Sequence, residues 1–472
     1  MSPESSATTA PDAGTAVPQT PMREGMPRSW HDAAELALLL CGLLAMAALL
    51  EHQMVSDGAR RLAALSELLQ HGRLSSLNYS LIGPLFSTPL WLLGRAAGDP
   101  VDWVLQFNLL CLALGLLALY LVLRPHMDRR ALGAFLLLLV AASMFPDHVR
   151  YYYGEVFTAV CVGAGLAAIV LGGRRTRLVG WAAVVLGVAN TPPALVGLAT
   201  VTLLRLFQRK QLREMLPLLA AAALVLAEAW VRRGSPFDLG YDDNRGVRTI
   251  MPYSGLPGFS YPLFFGVLAI LFSFGKGLIF FAPGMFLPVR RALAALHATA
   301  ARPVYALYLL WMSFVVGLIL VYARWWAWYG GWFWGPRFFL FASVLASFVL
   351  AVRLHARGTS LAGNLLTLGA LILSFWVGVD GAIFGQNTLS EVCWANNYSM
   401  EFLCHFTPEF SALWRPFVVY EPLNAANLIY IAYSVIVFFY LALPLLRRIA
   451  EQGRELARAL RQSHFDLAAW HA

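Results

Sequence analysis

The sequence is poor in charge. Only 13% of its 472 residues are Asp, Glu, Lys or Arg, against roughly 25% in an ordinary soluble chain, and the mean hydropathy is +0.63. This deficit excludes a soluble enzyme with a lone anchor and leaves a polytopic membrane protein. Lysine is nearly missing: Lys210 and Lys276 are the only two, so the other 33 of the 35 basic residues are arginines. The net charge of +9 does not point to nucleic acid, because the arginines fall in short stretches between apolar runs, where they act as topology signals. Cysteine is scarce, with five residues. Cys41, Cys111 and Cys161 lie inside apolar runs as packing residues, and no Cys/His spacing suggests zinc. No repeat of fixed period is visible, which weakens a transporter built from duplicated halves.

What is present is one apolar run after another. Residues 1–30, rich in Ser, Thr, Ala and Pro, read as a disordered cytoplasmic tail. Membrane spans are expected near 34–51, 103–123, 131–146, 155–172, 214–231, 277–290, 303–323, 337–354, 361–379 and 425–446. Residues 178–207, interrupted by Asn190-Thr191-Pro192-Pro193, read as two short helices or a re-entrant pair, and 80–97, with Pro84 and Pro89, as partly interfacial. The expectation is an all-α protein of about 11–13 spans, its transmembrane domain filling 31–446. Arginine-rich connections share one side, the cytoplasm, with both termini. Loops 52–80, 147–154, 232–262, 324–336 and 380–424 share the other, and 447–472 reads as a basic amphipathic tail on the inner leaflet.

The outer loops hold the polar residues. Just past the first span lies Asp57, followed by Leu62, Leu65, Leu68 and Leu69 at helical spacing and by Gly72 as a stop. Ser56 or Asp57 would cap this surface helix. Asp57 is alternatively a general base, with Arg60 one turn along to hold an anion. Lys276, between Gly275 and Gly277, is placed for a phosphate, since glycines admit close approach of an anion; the other reading is a lysine beside a helix break. Arg337 could share the anion or anchor the next span. Asp147 and Glu155 bound the outer loop between the spans near 131–146 and 155–172; Asp147 reads more readily as a solvated loop acid, and Glu155 as an acid buried at a span start. Trp326, Trp328, Tyr329, Trp332 and Trp334 crowd one loop, as an interfacial belt or as a surface for a sugar or prenyl chain. Asp238, Asp242, Asp243, Arg245 and Arg248 either bind the acceptor or form a solvated cluster, and read more readily as the latter. Cys393 and Cys404 share an outer loop, and an oxidising compartment makes a disulfide plausible.

Three motifs in order carry a resemblance. Asp57…Arg60 precedes a surface helix ending His71-Gly72 and the stretch Asn78-Tyr79-Ser80-Leu81-Ile82-Gly83-Pro84. Phe272-Ser273-Phe274-Gly275-Lys276-Gly277-Leu278 through Pro283 follows, then Trp326-Ala327-Trp328-Tyr329-Gly330-Gly331-Trp332-Phe333-Trp334-Gly335-Pro336-Arg337. Together they resemble the GT-C glycosyltransferases, in their bacterial protein-mannosyltransferase and aminoarabinose-transferase branch, over residues 34–446. Gly58 and Arg61 depart from the branch's stronger Asp-Glu…Arg-Tyr form. The resemblance implies a bacterial inner-membrane enzyme with a periplasmic site. It would move a sugar from a polyprenyl phosphate to a periplasmic lipid, glycan or protein, among membrane lipids. Asp57 would deprotonate the acceptor, Arg60, Lys276 and Arg337 would hold the donor phosphate, and Glu155 or Asp147 would be the second acid. No cofactor is firmly implied, and a divalent cation stays open. The rival is a non-enzymatic flippase or transporter of lipid-linked saccharide.

Overall fold

The computed structural model describes residues 28–240, 248–294, 298–356, 358–385 and 387–470. The expected tail up to residue 27, and Asp242, Asp243 and Arg245, lie outside the described residues. Among those described there is no strand; the β contact is an isolated bridge between Gln53 and Tyr151.

The chain opens with α1 (Arg28–Leu49) and the surface helix α2 (Ser56–His71). Val55, with extended backbone, occupies the N-cap of α2 without a side-chain cap bond, so neither Ser56 nor Asp57 caps it and the Asp57 carboxylate is spent elsewhere. Gly72, at φ 66°, closes the helix by donating to the Glu67 and Leu68 carbonyls. The prolines at 84 and 89 divide the next stretch into α3 (Ile82–Phe86) and α4 (Thr88–Ala97). Asp99 caps α5 (Pro100–Leu105), which runs into α6 (Phe107–Leu123). Then come α7 (Arg129–Ala141), α8 (Phe145–His148), α9 (Gly154–Leu171), α10 (Arg174–Asn190), α11 (Ala194–Arg209) and α12 (Leu216–Arg233). Residues 178–207 are thus parts of two helices broken at the Pro-Pro pair, where proline can neither donate nor tolerate the preceding turn.

The second half holds α13 (Leu263–Phe272), α14 (Leu278–Phe281), α15 (Arg290–Ala294), α16 (Ala298–Tyr322), α17 (Ala342–His355), α18 (Leu361–Ile383), α19 (Asn387–Tyr398), α20 (Glu401–Phe406) and α21 (Ala425–Trp470). The span expected at 277–290 does not form. Gly277, Pro283, Gly284 and Pro288 fragment it into short turns. The tail at 447–470 continues the last span as one helix of 46 residues.

Among the described residues seven stretches are long and apolar enough to cross a membrane: Asp32–Leu49, Pro100–Leu123, Gly154–Leu171, Leu212–Arg233, Arg302–Tyr322, Leu361–Ile383 and Ala425–Gln462. The shorter α7, α10, α11 and α17 supply further apolar layers. α7 and α17 pack together at the centre, buried on every side from Ala131 to Ala141 and from Ala342 to Leu354. A helix hydrophobic all round belongs inside a bundle. Phe135, Trp311 and Phe348 lock the two against α16, with Trp311 Nε1 donating to Gly163 at 3.2 Å.

The connections gather at two ends. At one, α1 meets α7 through Asp32–Arg129, and α21 holds the α17–α18 turn through Arg448 to Leu354 and Ala356 and through Gln452 to Asn364. At the other, the segments after α1, α2, α8, α10, α16 and α18 converge, and the site is built there.

Candidate active site

Asp57 stands in the first turn of α2 with both carboxylate oxygens engaged. Oδ2 accepts from Arg337 Nη1 at 2.7 Å, and Oδ1 accepts from the Tyr79 hydroxyl at 2.7 Å and from Ser56 at 3.3 Å. Burial pushes this carboxyl up. The Arg337 charge, the Tyr79 and Arg337 hydrogen bonds and the Arg61 charge outweigh it and hold it below its ordinary range. Asp57 is therefore ionised at neutral pH. Arg337 also donates through Nε to Gly330 at 2.7 Å, lies 3.7 Å from Glu155 Oε1, and sits 3.9 Å above the Phe333 ring. Its own burial disfavours the charge, but Asp57 and Glu155 keep the guanidinium above its ordinary range. Nη2 makes no protein hydrogen bond among the described residues.

Glu155 and Arg337 line a narrow, almost wholly apolar groove together with Thr158, Ala159, Thr191, Ala194, Phe314, Leu318, Phe338 and Phe341, contributed by α9, α11, α16 and the residues just before α17.

The two arginines that follow Asp57 in the sequence part company. Arg60 is on the exposed face of α2, while Arg61 is buried. One residue is ~100° of rotation, and Gly58, Leu62 and Leu65 share the buried face. Arg61 Nη1 donates weakly to Ser80 O at 3.3 Å and Asn190 Oδ1 at 3.4 Å, its guanidinium lies 5.3 Å from the Tyr79 ring, and its buried Nε has no partner. The cation that α2 turns toward Asp57 is Arg61.

Lys276 is buried, and its ammonium donates to the carbonyls of Gly331, Phe333 and Gly335. Gly330, Gly331 and Gly335 have φ of 77°, 80° and 62°, and these left-handed residues turn the loop tightly enough for its carbonyls to converge. Lys276 thus fastens from one side the loop that Arg337 fastens from the other. Burial and the like charge of Arg337 push Lys276 down to about 7, opposed by Asp147 and Glu401. Gly275 is small for a reason other than anion approach: a Cβ there would collide with the Cys404 carbonyl, and its N–H donates to His405 O at 3.0 Å.

The aromatic loop faces inward. Trp326, Trp328, Tyr329 and Trp334 are buried. Trp328 packs on His405 and Phe406, and Trp334 donates to Asp380 at 2.7 Å and meets Phe281. Neither an interfacial belt nor direct sugar or lipid contact fits these four, since their rings are covered by protein and none lines the groove. Trp332 is half-buried, stacked on Tyr398 at 4.6 Å and donating to Glu401 at 2.7 Å. Cys393 and Cys404 are joined by a disulfide that ties α19 to α20, which carries Glu401 and His405.

Asp147 is no solvated loop acid. It is 4% exposed, 3.5 Å from His148 Nδ1, with Oδ1 unpartnered, and burial pushes it up to about 7 against the charges of Arg150 and Lys276. Pro146 starts α8 and folds the acid under the bundle, where Arg150 and Lys276 are its cationic neighbours and Asp380 lies close by. Of the two candidate second acids, Glu155 is the one beside Asp57 and Arg337. Arg248 and Asp238 are not among the residues around Asp57. Among the described residues no three His, Cys, Asp or Glu side chains group to hold a metal ion.

Sequence reasoning missed Tyr79, Arg61, Asn190, Glu228 and Arg232. The last two had a usable signal, a Glu and an Arg four apart at the end of an apolar helix, where a charge needs a partner.

No family model matches the chain, and no curated protein matches it. Two solved structures are similar to it. One is ArnT from Cupriavidus metallidurans bound to undecaprenyl phosphate, 14% identical, with a TM-score of 0.51 over 89% of this chain and 78% of that one. The other is the same protein in the apo state, 16% identical, with a TM-score of 0.49 over 89% and 71%. The chain has a polytopic membrane fold similar to that of ArnT.

Proposed function

We propose that this protein is a membrane glycosyltransferase that moves a sugar from a polyprenyl phosphate to an acceptor on the outer side of a bacterial inner membrane. The observation that carries the reading is the direct Asp57–Arg337 contact at 2.7 Å, with Arg337 also lining a narrow apolar groove. The ArnT structure with undecaprenyl phosphate adds a precedent for such a lipid on this fold. The arginines of the opposite end support a cytoplasmic location for that end and an outward-facing site.

The prenyl chain enters the groove and its phosphate meets Arg337 Nη2 and Arg61. The phosphate competes with Asp57 for Arg337, which loosens the carboxylate and raises its basicity. Asp57 then accepts the proton of the acceptor hydroxyl as the acceptor oxygen bonds to the anomeric carbon. The bond from that carbon to the phosphate oxygen breaks, and the two arginines stabilise the departing phosphate. Glu155 keeps Arg337 in place when Asp57 lets go.

The test is purified protein given a radiolabelled polyprenyl-phosphate sugar. Transfer or hydrolysis that Asp57→Asn abolishes supports the reading, and unchanged turnover in that variant overturns it. Movement of the lipid across vesicles without bond cleavage supports the flippase instead. The same assay with and without EDTA tests the divalent cation.

A further inference from the structure

The linker between α2 and α3, residues 72–81, contains no helix or strand, yet it delivers the Tyr79 hydroxyl to Asp57 at 2.7 Å. Its shape comes from another element. Arg232, near the end of α12, donates through Nε to Ser75 O at 2.8 Å, through Nη2 to Leu77 O at 2.7 Å, and through Nη1 to Tyr79 O at 2.6 Å. Nη1 also meets Glu228 Oε1 at 2.7 Å, one turn back on the same helix. Glu228 takes the far side of the tyrosine: Oε1 accepts from the Leu81 N–H and Oε2 from the Ser80 hydroxyl, each at 2.7 Å. The Arg232 side chain is 2% exposed and that of Glu228 is 14%. Backbone groups on both sides of Tyr79 are therefore bound by one buried ion pair, which holds the ring between the Arg61 guanidinium and Asp57.

We propose that Glu228 and Arg232 are positioning residues that fix the Tyr79 hydroxyl against Asp57 and thereby set how readily Asp57 takes a proton. The inference rests on the reading of Asp57 as the base, but it concerns a contact that exists without substrate. The groups facing Asp57 are Tyr79 on the linker, Arg61 on its own helix, Arg337 with Glu155 beside it, and Tyr153. Losing the Tyr79 bond removes a hydrogen bond to the ionised form and shifts Asp57 upward. Removing the negative charge of Glu228 alone would shift it downward. The two explanations predict opposite signs.

The experiment follows the Asp57 carboxylate band by infrared titration of the full-length protein in detergent, each variant being subtracted from the same variant carrying Asp57→Asn. The variants are Glu228→Gln, Arg232→Lys, Tyr79→Phe and the double variant Glu228→Gln with Tyr79→Phe. An upward shift of about one pH unit, a tenfold change in proton affinity, is expected in each single variant. The double variant should shift no further than Tyr79→Phe alone. In the transfer assay kcat should fall about tenfold with KM for the donor unchanged, and Arg232→Lys should lose less than Arg232→Met. A titration unchanged from wild type in Glu228→Gln, a downward shift, or additive effects in the double variant overturns the inference. A shifted titration in a protein that transfers no sugar leaves the clamp standing and removes the transferase reading.

Discussion

Replacing Arg337 by lysine keeps the charge and removes the fork. Arginine makes three uses of one planar group: Nε holds Gly330 at 2.7 Å, Nη1 holds Asp57 at 2.7 Å, and the face covers Phe333 at 3.9 Å. A lysine ammonium can satisfy one of these. The lost bond from a charged donor to Gly330 is worth roughly 1.5–3 kcal/mol, and the lost stacking on Phe333 about 1 kcal/mol. The sum is about 2.5–4 kcal/mol, and it falls on the placement of the cation rather than on its presence. At about 1.4 kcal/mol per tenfold, it corresponds to a loss of roughly 60- to 700-fold in kcat. Donor affinity should change by less than about tenfold, because charge remains beside the groove. Single-turnover transfer at saturating donor, with equilibrium binding of polyprenyl phosphate, separates the two. Arg337→Met serves as the companion: it leaves Asp57 and Glu155 as neighbouring carboxylates without their cation and should cost roughly 3–5 kcal/mol of stability. If Arg337→Lys turns over within threefold of wild type, the argument that the fork positions the cation is refuted.

Lys276 predicts an alkaline limb. Its folded-state pKa is about 7, so raising the pH through that value turns an ammonium with three donors into an amine with two and loosens the Gly331–Gly335 carbonyls. The pH–rate profile should fall above about 7–8, and Lys276→Met should be slow at every pH with that limb gone. Asp147 has the opposite sign: with its pKa raised to about 7, its stability contribution is complete below the unfolded-state value and is lost as pH rises through about 7. Thermal midpoints of wild type should decline between about pH 4 and 7, and Asp147→Asn should flatten that decline. The Cys393–Cys404 bridge closes a loop of sequence separation 11, for which chain entropy gives about 3 kcal/mol. Reduction should lower the midpoint and change the fluorescence of Trp332, and an unchanged spectrum would separate the bridge from the aromatic loop.

The fold was readable wherever one physical signal dominated. Long apolar runs fixed most spans, Gly72 its helix end, and the Pro-Pro pair the break between α10 and α11. The failure at 277–290 came from letting hydropathy outvote Gly277, Pro283, Gly284 and Pro288. Within the site, the order of motifs pointed at Asp57 and Arg337, whose contact spans 280 residues of sequence. Phase around a helix decided what motifs could not: Gly58, Leu62 and Leu65 mark the buried face of α2, which puts Arg61 rather than Arg60 toward Asp57. Burial of Asp147 was illegible because Pro-Asp-His reads as a solvated turn until α17 and α18 close over it. The inward-facing tryptophans were misjudged for a similar reason, since a dense aromatic loop looks the same whether it faces lipid, ligand or its own core.

The 280-residue gap between Asp57 and its arginine has a consequence for how the protein is made. At roughly 5–20 residues per second, about 15–60 s of synthesis separate the two residues. Throughout that interval α2 is complete while its acid has Arg61 and Tyr79 within reach, but the loop that carries Arg337 has yet to leave the ribosome. Biogenesis thus ends with the site: a nascent chain stopped before residue 337 can insert its leading helices but assembles no reaction centre.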